Sequence, residues 1–157
     1  MPLDTIYLDI PYMNNFEDFT VDTKNFPSLT NLSGLLHNNS QNLVLIVDAA
    51  ISAEDTSNPY YSLGNTDGVF IKSGMYNSTT YNGNLISSVW PKTCVFVDWF
   101  HENSTNVWSK GLNDLYNQTL FDGIWIDMNE PTTFIHGEMK PNDVKTTKEI
   151  FAEFKES

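Results

Sequence analysis

Three short apolar runs, each ending in an aspartate, constrain the fold of this chain more than any other feature. The runs are Ile6-Tyr7-Leu8-Asp9, Leu43-Val44-Leu45-Ile46-Val47-Asp48 and Gly123-Ile124-Trp125-Ile126-Asp127. Each is continuously apolar, rich in β-branched and aromatic residues, and too short for a helix. This pattern is typical of strands that are buried on both faces of a parallel sheet.

Amphipathic segments lie between these strands. The first follows Pro27-Ser28, a suitable helix start, and the second precedes the third strand. Their apolar residues recur at helical spacing: Leu29, Leu32, Leu35 and Leu36 in the first, and Trp108, Leu112, Leu115 and Tyr116 in the second. Alternating strands and helices predict an α/β fold, because parallel strands need crossover connections.

The spacing of the strands predicts an insertion. Asp9 and Asp48 are 39 residues apart, whereas Asp48 and Asp127 are 79 apart. Residues 49–101 are rich in Gly, Asn, Ser, Tyr and Pro and carry few helical signals, although Gly68-Val69-Phe70-Ile71 indicates a short strand. We interpret them as an insertion after the second of these strands, on the side where active-site loops gather.

The aspartates at the strand ends indicate a functional site. Ligands of parallel α/β proteins bind at the carboxyl ends of the strands. One such aspartate could equally cap a helix or hold a turn, but three indicate either a metal site or acid–base and nucleophilic chemistry on a sugar.

Metal binding is the weaker of these two interpretations. The chain has no EF-hand-like acidic run, and its histidines lack zinc-site spacing and are expected on the surface or in loops. The histidines are His37, His101 and His136. We therefore expect no metal and no cofactor.

Several aromatic residues favour a sugar ligand. Flat apolar rings of this kind pack against pyranose rings, although a single Trp is more often part of a core. The candidates are Trp90, Trp99, Trp125 and the pair Tyr60-Tyr61. Trp125 is the most informative, because it precedes Asp127 by two residues and shares its face of the strand.

Charge and cysteine content exclude some function classes. The 157-residue chain has a net charge of −12, which would repel a phosphate backbone and argues against nucleic-acid binding. Cys94 is the only cysteine, so an intrachain disulfide is excluded and a buried structural role is expected.

Targeting signals are sparse. The first residues lack the pattern of a signal peptide, and no apolar run approaches the ~20 residues of a membrane span. N-glycosylation sequons, which favour a secretory route, occur at Asn31, Asn38, Asn77, Asn103 and Asn117.

A longer motif surrounds the third aspartate and resembles the nucleophile signature of glycoside hydrolase family 31. It reads Phe121-Asp122-Gly123-Ile124-Trp125-Ile126-Asp127-Met128-Asn129-Glu130-Pro131. Further segments resemble the second barrel strand of that family, its third strand and a motif in the insertion that follows. These segments are residues 2–10 with Tyr12-Met13 and Asp18-Phe19-Thr20, residues 43–51, and Val89-Trp90-Pro91.

The similarity runs in order through residues 1–137. Tyr12-Met13 and Trp125-Ile126 are closer to the lysosomal and intestinal α-glucosidases than to endoplasmic-reticulum glucosidase II. The resemblance implies a partial (β/α)₈ TIM barrel, about strands two to four, with the insertion after the third strand. It also implies retaining hydrolysis of α-glucosides such as maltose-like oligosaccharides, in a secretory, lysosomal or extracellular location.

The resemblance implies roles for individual residues. Asp127 would be the catalytic nucleophile, ionised, with a protonated carboxyl about 5–5.5 Å away as general acid. Asp9 would bind hydroxyls of the terminal sugar. The subsite walls would be Ile10, Ile46, Trp90, Trp125 and Met128. Asp48 would support the site, and Asn129 and Glu130 would orient the nucleophile loop.

The chain departs from the family pattern in two places. Pro11 stands where the family usually has another acidic residue. The acid/base Asp and the Arg and His of the pocket lie later in the family's barrel, and we expect them to be absent from these 157 residues. Residues 138–157 have no evident counterpart and predict a charged helical tail.

These departures carry expectations about the isolated chain. Three strands of an eight-stranded barrel leave open edges, so we expect the chain alone to fold poorly or self-associate, and to be inactive without the remainder of the barrel. Two alternatives stay open: a non-catalytic sugar-binding remnant, and an unrelated α/β interaction module.

Overall fold

The computed structural model describes residues 3–54, 57–141 and 143. Within them the chain forms six strands and three α-helices. These are β1 (Thr5–Leu8), α1 (Leu29–Asn38), β2 (Asn42–Val47), β3 (Ala50–Ser52), α2 (Pro59–Asp67), β4 (Ser87–Val89), β5 (Lys92–Phe96), α3 (Ser104–Thr119) and β6 (Gly123–Ile126). The helix expected within residues 138–157 falls almost entirely outside the described residues.

The chain divides into two compact units. The first comprises residues 3–48 and 108–127, and the second comprises residues 49–107 and those from Met128 onward. The first unit therefore contains all three strands that the apolar runs predict. The whole segment interpreted as an insertion, residues 49–101, belongs to the second unit.

The first unit is built on a parallel sheet in the order β1-β2-β6. Leu8 pairs with Leu45, and Val47 pairs with Ile126. Each strand ends one residue before its aspartate, so the predicted strands are confirmed to within a residue or two. The middle strand, β2, is the most buried, with Leu43 and Leu45 fully shielded from solvent.

Helices α1 and α3 match the predicted amphipathic segments. Ser28 caps α1 by accepting a hydrogen bond on Oγ from the Asn31 N–H at 3.2 Å. Helix α3 starts four residues before its first predicted apolar position. At Gly111 it passes so close to Phe19 that a Cβ atom would lie 2.4 Å from the ring. Phe19 also makes an edge-to-face contact with Trp108 at 5.1 Å.

The second unit contains an antiparallel sheet in the order β3-β5-β4. A small core cluster lies against this sheet and includes the predicted buried cysteine. Its members are Ala49, Ala50, Val89, Cys94 and Phe96. Cys94 is fully buried, which confirms the structural role expected from its sequence context.

Two expectations for the second unit were wrong. The short strand expected over residues 68–71 is reduced to an isolated bridge between Phe70 and Val97. Helix α2 was not foreseen, because its composition is polar and turn-like. Its start signal was present, however: Asn58 Oδ1 accepts the N–H groups of Tyr60 and Tyr61 at 3.0 and 3.1 Å, with Pro59 in the first turn.

Candidate active site

The first unit brings the three strand-end aspartates to one edge of the parallel sheet. Asp9, Asp48 and Asp127 directly follow β1, β2 and β6. Because Val47 pairs with Ile126, continuing the register makes Asp48 and Asp127 neighbours on adjacent strands. The middle aspartate thus lies beside the one that carries the family signature.

The same register places the predicted apolar and aromatic partners on the aspartate face. Ile46 pairs with Trp125, and each precedes its strand's aspartate by two residues, so all four side chains share one side of the sheet. Ile46 is 2% exposed. The Trp125 ring is partly buried and meets Tyr7 edge-to-face at 6.5 Å.

Asp9 is exposed and organises the turn that follows β1. Its Oδ1 accepts the Ile10 N–H at 2.7 Å, which caps a short 3₁₀ turn over Ile10–Tyr12. Ile10 is buried. The second carboxylate oxygen of Asp9 takes no part in this cap.

Asp48 is the most deeply buried of the three strand-end aspartates, at 5% exposed. Burial, followed by the negative charges of Asp127 and Asp9, raises the pKa of Asp48 to about 7. The cause is general: a carboxylate loses stability when it is removed from water and when like charges face it. Asp127 and Asp9 both lie close enough to Asp48 for their charges to act on it.

A fourth aspartate, Asp18, contacts the backbone of Asp48. The sequence motif Asp18-Phe19-Thr20 indicated no role for it. Asp18 is 4% exposed, and its Oδ1 accepts the backbone N–H of Asp48 at 3.1 Å. Burial and the charge of Asp48 raise its pKa well above the usual range. No local sequence pattern distinguishes Asp18 from the other acidic residues. Only the tertiary contact with Asp48 singles it out.

Tyr12 supports the same strand end. Its hydroxyl donates to the Ile46 carbonyl oxygen at 2.7 Å, and the side chain is fully buried. Burial, then the charges of Asp18 and Asp48, raise the pKa of Tyr12. The phenol therefore stays protonated and keeps its donor role.

Four of the predicted site residues belong to the second unit. Trp90 is partly buried and meets Phe134 edge-to-face at 4.9 Å. Met128 adopts a left-handed backbone conformation, with φ of 57°, and packs on the core cluster of that unit.

Asn129 and Glu130 follow directly. Asn129 Oδ1 is buried and has no hydrogen-bond partner among the described residues. Glu130 is exposed and accepts a hydrogen bond from Thr132 Oγ1 at 2.7 Å, which is the main reason its pKa is lowered. The Glu130 carboxylate is therefore hydrogen-bonded to a residue two positions along the chain.

Within the described part of the chain, no group of three or more His, Cys, Asp or Glu side chains is arranged to hold a metal ion. None of the helices there is both long and apolar enough to cross a membrane.

Comparison with known proteins decides the family. The model of the glycosyl hydrolases family 31 TIM-barrel domain matches residues 1–154. The chain belongs to glycoside hydrolase family 31. The match extends beyond residue 137, and so includes most of the tail for which the sequence motifs had indicated no counterpart.

Family 31 relatives include α-glucosidases. An α-glucosidase of Mucor javanicus is 42% identical over 139 residues, which cover 87% of this chain and 15% of the relative. Human intestinal sucrase-isomaltase is 35% identical over 144 residues, covering 89% of this chain and 8% of the relative. The chain thus spans less than a fifth of the length of these curated relatives.

Solved structures of family 31 enzymes share the fold. The catalytic subunit in the complex of endoplasmic-reticulum glucosidase II superposes with a TM-score of 0.73 at 28% identity, covering 91% of this chain and 15% of that chain.

Proposed function

We propose that this chain is the nucleophile-bearing part of a retaining α-glucosidase, with Asp127 as the nucleophile. The observation that carries the proposal is the convergence of Asp9, Asp48 and Asp127 at one sheet edge, with Asp127 inside the family signature. A nucleophilic carboxylate needs a rigid support, and the end of a hydrogen-bonded strand provides one.

The proposed chemistry is a double displacement. A carboxylate oxygen of Asp127 attacks the anomeric carbon as the bond to the leaving oxygen breaks, and a general acid gives that oxygen a proton. Water then attacks the covalent glycosyl-enzyme with the same group acting as base. We infer that this acid/base is contributed by barrel sequence outside the 157 residues.

The remaining site residues have binding and supporting roles in this proposal. Asp9 would accept hydrogen bonds from hydroxyls of the terminal glucose. The apolar walls of that subsite would come from Ile10, Ile46, Trp90, Trp125 and Met128. Asp48, Asn129 and Glu130 would hold the nucleophile and its loop in place.

The proposal also covers domain organisation and substrate. We assign β1, β2 and β6 to the second, third and fourth strands of an eight-stranded barrel, and residues 49–101 to an insertion after the third. The natural substrates would be maltose-like α-glucosides, met on a secretory, lysosomal or extracellular route.

The test is covalent trapping in a completed barrel. The chain replaces its matching segment in the Mucor javanicus α-glucosidase, and the graft is treated with a 5-fluoro-α-glucosyl fluoride. The fluorine slows both steps by destabilising the oxocarbenium-like transition state, and fluoride leaves without a proton, so the glycosyl-enzyme accumulates. Mass mapping should find the sugar on Asp127.

Matched variants complete the test. Asp127→Asn should abolish both labelling and hydrolysis of p-nitrophenyl α-glucoside, whereas Asp114→Asn, at a partly exposed position of α3, should leave both intact. Labelling of a different carboxyl would overturn the assignment of Asp127. Binding of maltose without labelling or turnover would favour the alternative, a non-catalytic sugar-binding remnant.

A further inference from the structure

The carboxyl group of Asp18 contacts the backbone at the end of β2. Asp18 and Asp48 are 4% and 5% exposed, and the Asp48 N–H donates to Asp18 Oδ1 at 3.1 Å. Asp18 belongs to the segment after β1, so this contact joins two neighbouring strand ends. The bond fixes the backbone of the residue that lies beside Asp127.

One carboxyl oxygen of each of these two side chains is buried without a hydrogen-bond donor among the described residues. These oxygens are Asp18 Oδ2 and Asp48 Oδ1. Buried carboxylate oxygens without donors are strongly unfavourable. The ion pairs in the described part of the chain, His37–Asp122 and Lys110–Asp114, do not involve either group. A proton is therefore the natural neutralising partner.

The surrounding groups favour this protonated state. Asp48 faces Asp9 from the end of β1 and Asp127 from the end of β6, and Asp18 and Tyr12 approach from the segment after β1. Three of these four groups are carboxyls, and the fourth, Tyr12, donates its hydrogen bond to the Ile46 carbonyl oxygen instead. Full ionisation would therefore place four negative charges around one strand end.

We propose that Asp18 and Asp48 hold one proton between them near neutral pH, and that Asp18 is a positioning residue that fixes Asp48 beside Asp127. Two adjacent buried carboxyls commonly share a proton in this way, and the titration then belongs to the pair. The part of the inference that concerns Asp127 rests on the proposed function. The shared proton limits the negative charge beside the proposed nucleophile.

The first experiment is thermal unfolding of the full chain as a function of pH. Because burial and like charges raise the pKa of both carboxyls, the folded state holds a proton that the unfolded state releases above about pH 4. Stability should therefore fall as pH rises from about 4 to about 7. Replacing one acid by its amide removes the share of the proton uptake that belongs to that acid, and so weakens the pH dependence.

The expected result is a pH-dependent gain in Tm. Asp18→Asn and Asp48→Asn should each melt several degrees above wild type at pH 8 and close to it at pH 4. The Asp114→Asn variant, at a partly exposed position, serves as the matched control and should show no gain in Tm at pH 8. Variants that follow the wild-type curve in parallel at every pH would overturn the shared proton.

The second experiment uses the grafted barrel. It tests the positioning role of Asp18 even if the isolated chain shows no cooperative unfolding transition. Asp18→Asn keeps an acceptor for the Asp48 N–H and reproduces the net charge of the one-proton pair, so it should retain most of kcat. Asp18→Ala loses the acceptor and should lower kcat about 100-fold with KM little changed, as expected for a misplaced reacting group.

The two proposals fail in different ways. Trapping on Asp127 tests the proposed function and does not depend on Asp18. Equal activity losses in Asp18→Asn and Asp18→Ala, or no loss in either, would overturn the positioning role while leaving the nucleophile assignment intact. Absence of any label on Asp127 would instead overturn the proposed function, and the pH dependence of Tm would still test the shared proton.

Discussion

His37 Nε2 lies 2.9 Å from both carboxylate oxygens of Asp122 and joins α1 to the turn before β6. Asp122 Oδ2 also accepts the N–H of Leu43 at 2.8 Å, at the second residue of β2. The backbone bond from Leu43, followed by the bond from His37, lowers the pKa of Asp122. The exposed Asp122 carboxylate therefore links α1, β2 and the turn before β6. These contacts lie at the end of the sheet opposite the strand-end aspartates.

The two partners of Asp122 should contribute unequally to stability. His37→Ala removes an exposed side-chain contact with Asp122 and should cost less than about 1 kcal/mol. Asp122→Ala also leaves the Leu43 N–H without its acceptor and should cost about 1–3 kcal/mol. Urea unfolding at pH 7 measures both, with Asp114→Ala as the control for an exposed helix pair. Equal costs for the two variants would contradict this ranking.

The contribution of Asp122 should also depend on pH. A carboxyl whose pKa is lowered on folding stabilises the fold above its unfolded value, near 3.8, and loses that stabilisation as the pH falls through its folded value. The difference between wild type and Asp122→Ala should therefore shrink below about pH 4. Unfolding midpoints measured from pH 3 to pH 7 give this dependence directly.

Gly111→Ala should destabilise the chain even though alanine is the better helix former. The new Cβ would lie 2.4 Å from the buried Phe19 ring, and Phe19 is itself held against Trp108. Overpacking of this kind costs about 1–3 kcal/mol. The matched control is Gly34→Ala in α1, where nothing lies within 4 Å of the new atom.

The control should change in the opposite direction. Gly34→Ala reduces the entropy of the unfolded chain without a clash and should stabilise by about 0.4–1 kcal/mol. Denaturant midpoints at constant m-value report both changes. If the two variants shift the midpoint in the same direction, the tight approach of Gly111 to Phe19 is not an energetic constraint.

The outer strands of the parallel sheet should make the isolated chain associate. Among the described residues, β1 and β6 each pair with β2 alone, and they expose Tyr7 by 62% and Ile126 by 71%. Unpaired strand edges with apolar side chains template further pairing. Sedimentation velocity should therefore show concentration-dependent association, and Ile126→Lys should reduce it.

A control of equal exposure separates edge pairing from general hydrophobicity. Met75 is also 71% exposed but lies outside any strand. Met75→Lys should therefore leave the association unchanged. A monomeric wild-type chain, or equal effects of the two lysine variants, would count against association through the sheet edge.

Local signals predicted much of the fold because they depend on near neighbours in the chain. Continuous apolar runs indicated β1, β2 and β6, and helical spacing indicated α1 and α3. The insertion was harder to predict. In α2, polar and aromatic residues obscure the periodicity, and its start depends on a side-chain cap at Asn58. Phe70 has the composition of a strand residue but forms only one bridge, because strand length depends on a partner elsewhere in the chain.

By itself, the sequence determined the family, the three parallel strands, and the aspartate at the end of each strand. These follow from motif identity and from the alternation of strands and helices. Only the tertiary structure decided the register that makes Asp48 a neighbour of Asp127, the burial of Asp18 beneath it, and the contact of Asp122 with Leu43. Those relationships join residues 30 to 79 positions apart. They depend on how separate elements pack, because burial and like charge, rather than residue type, set the protonation of a carboxyl.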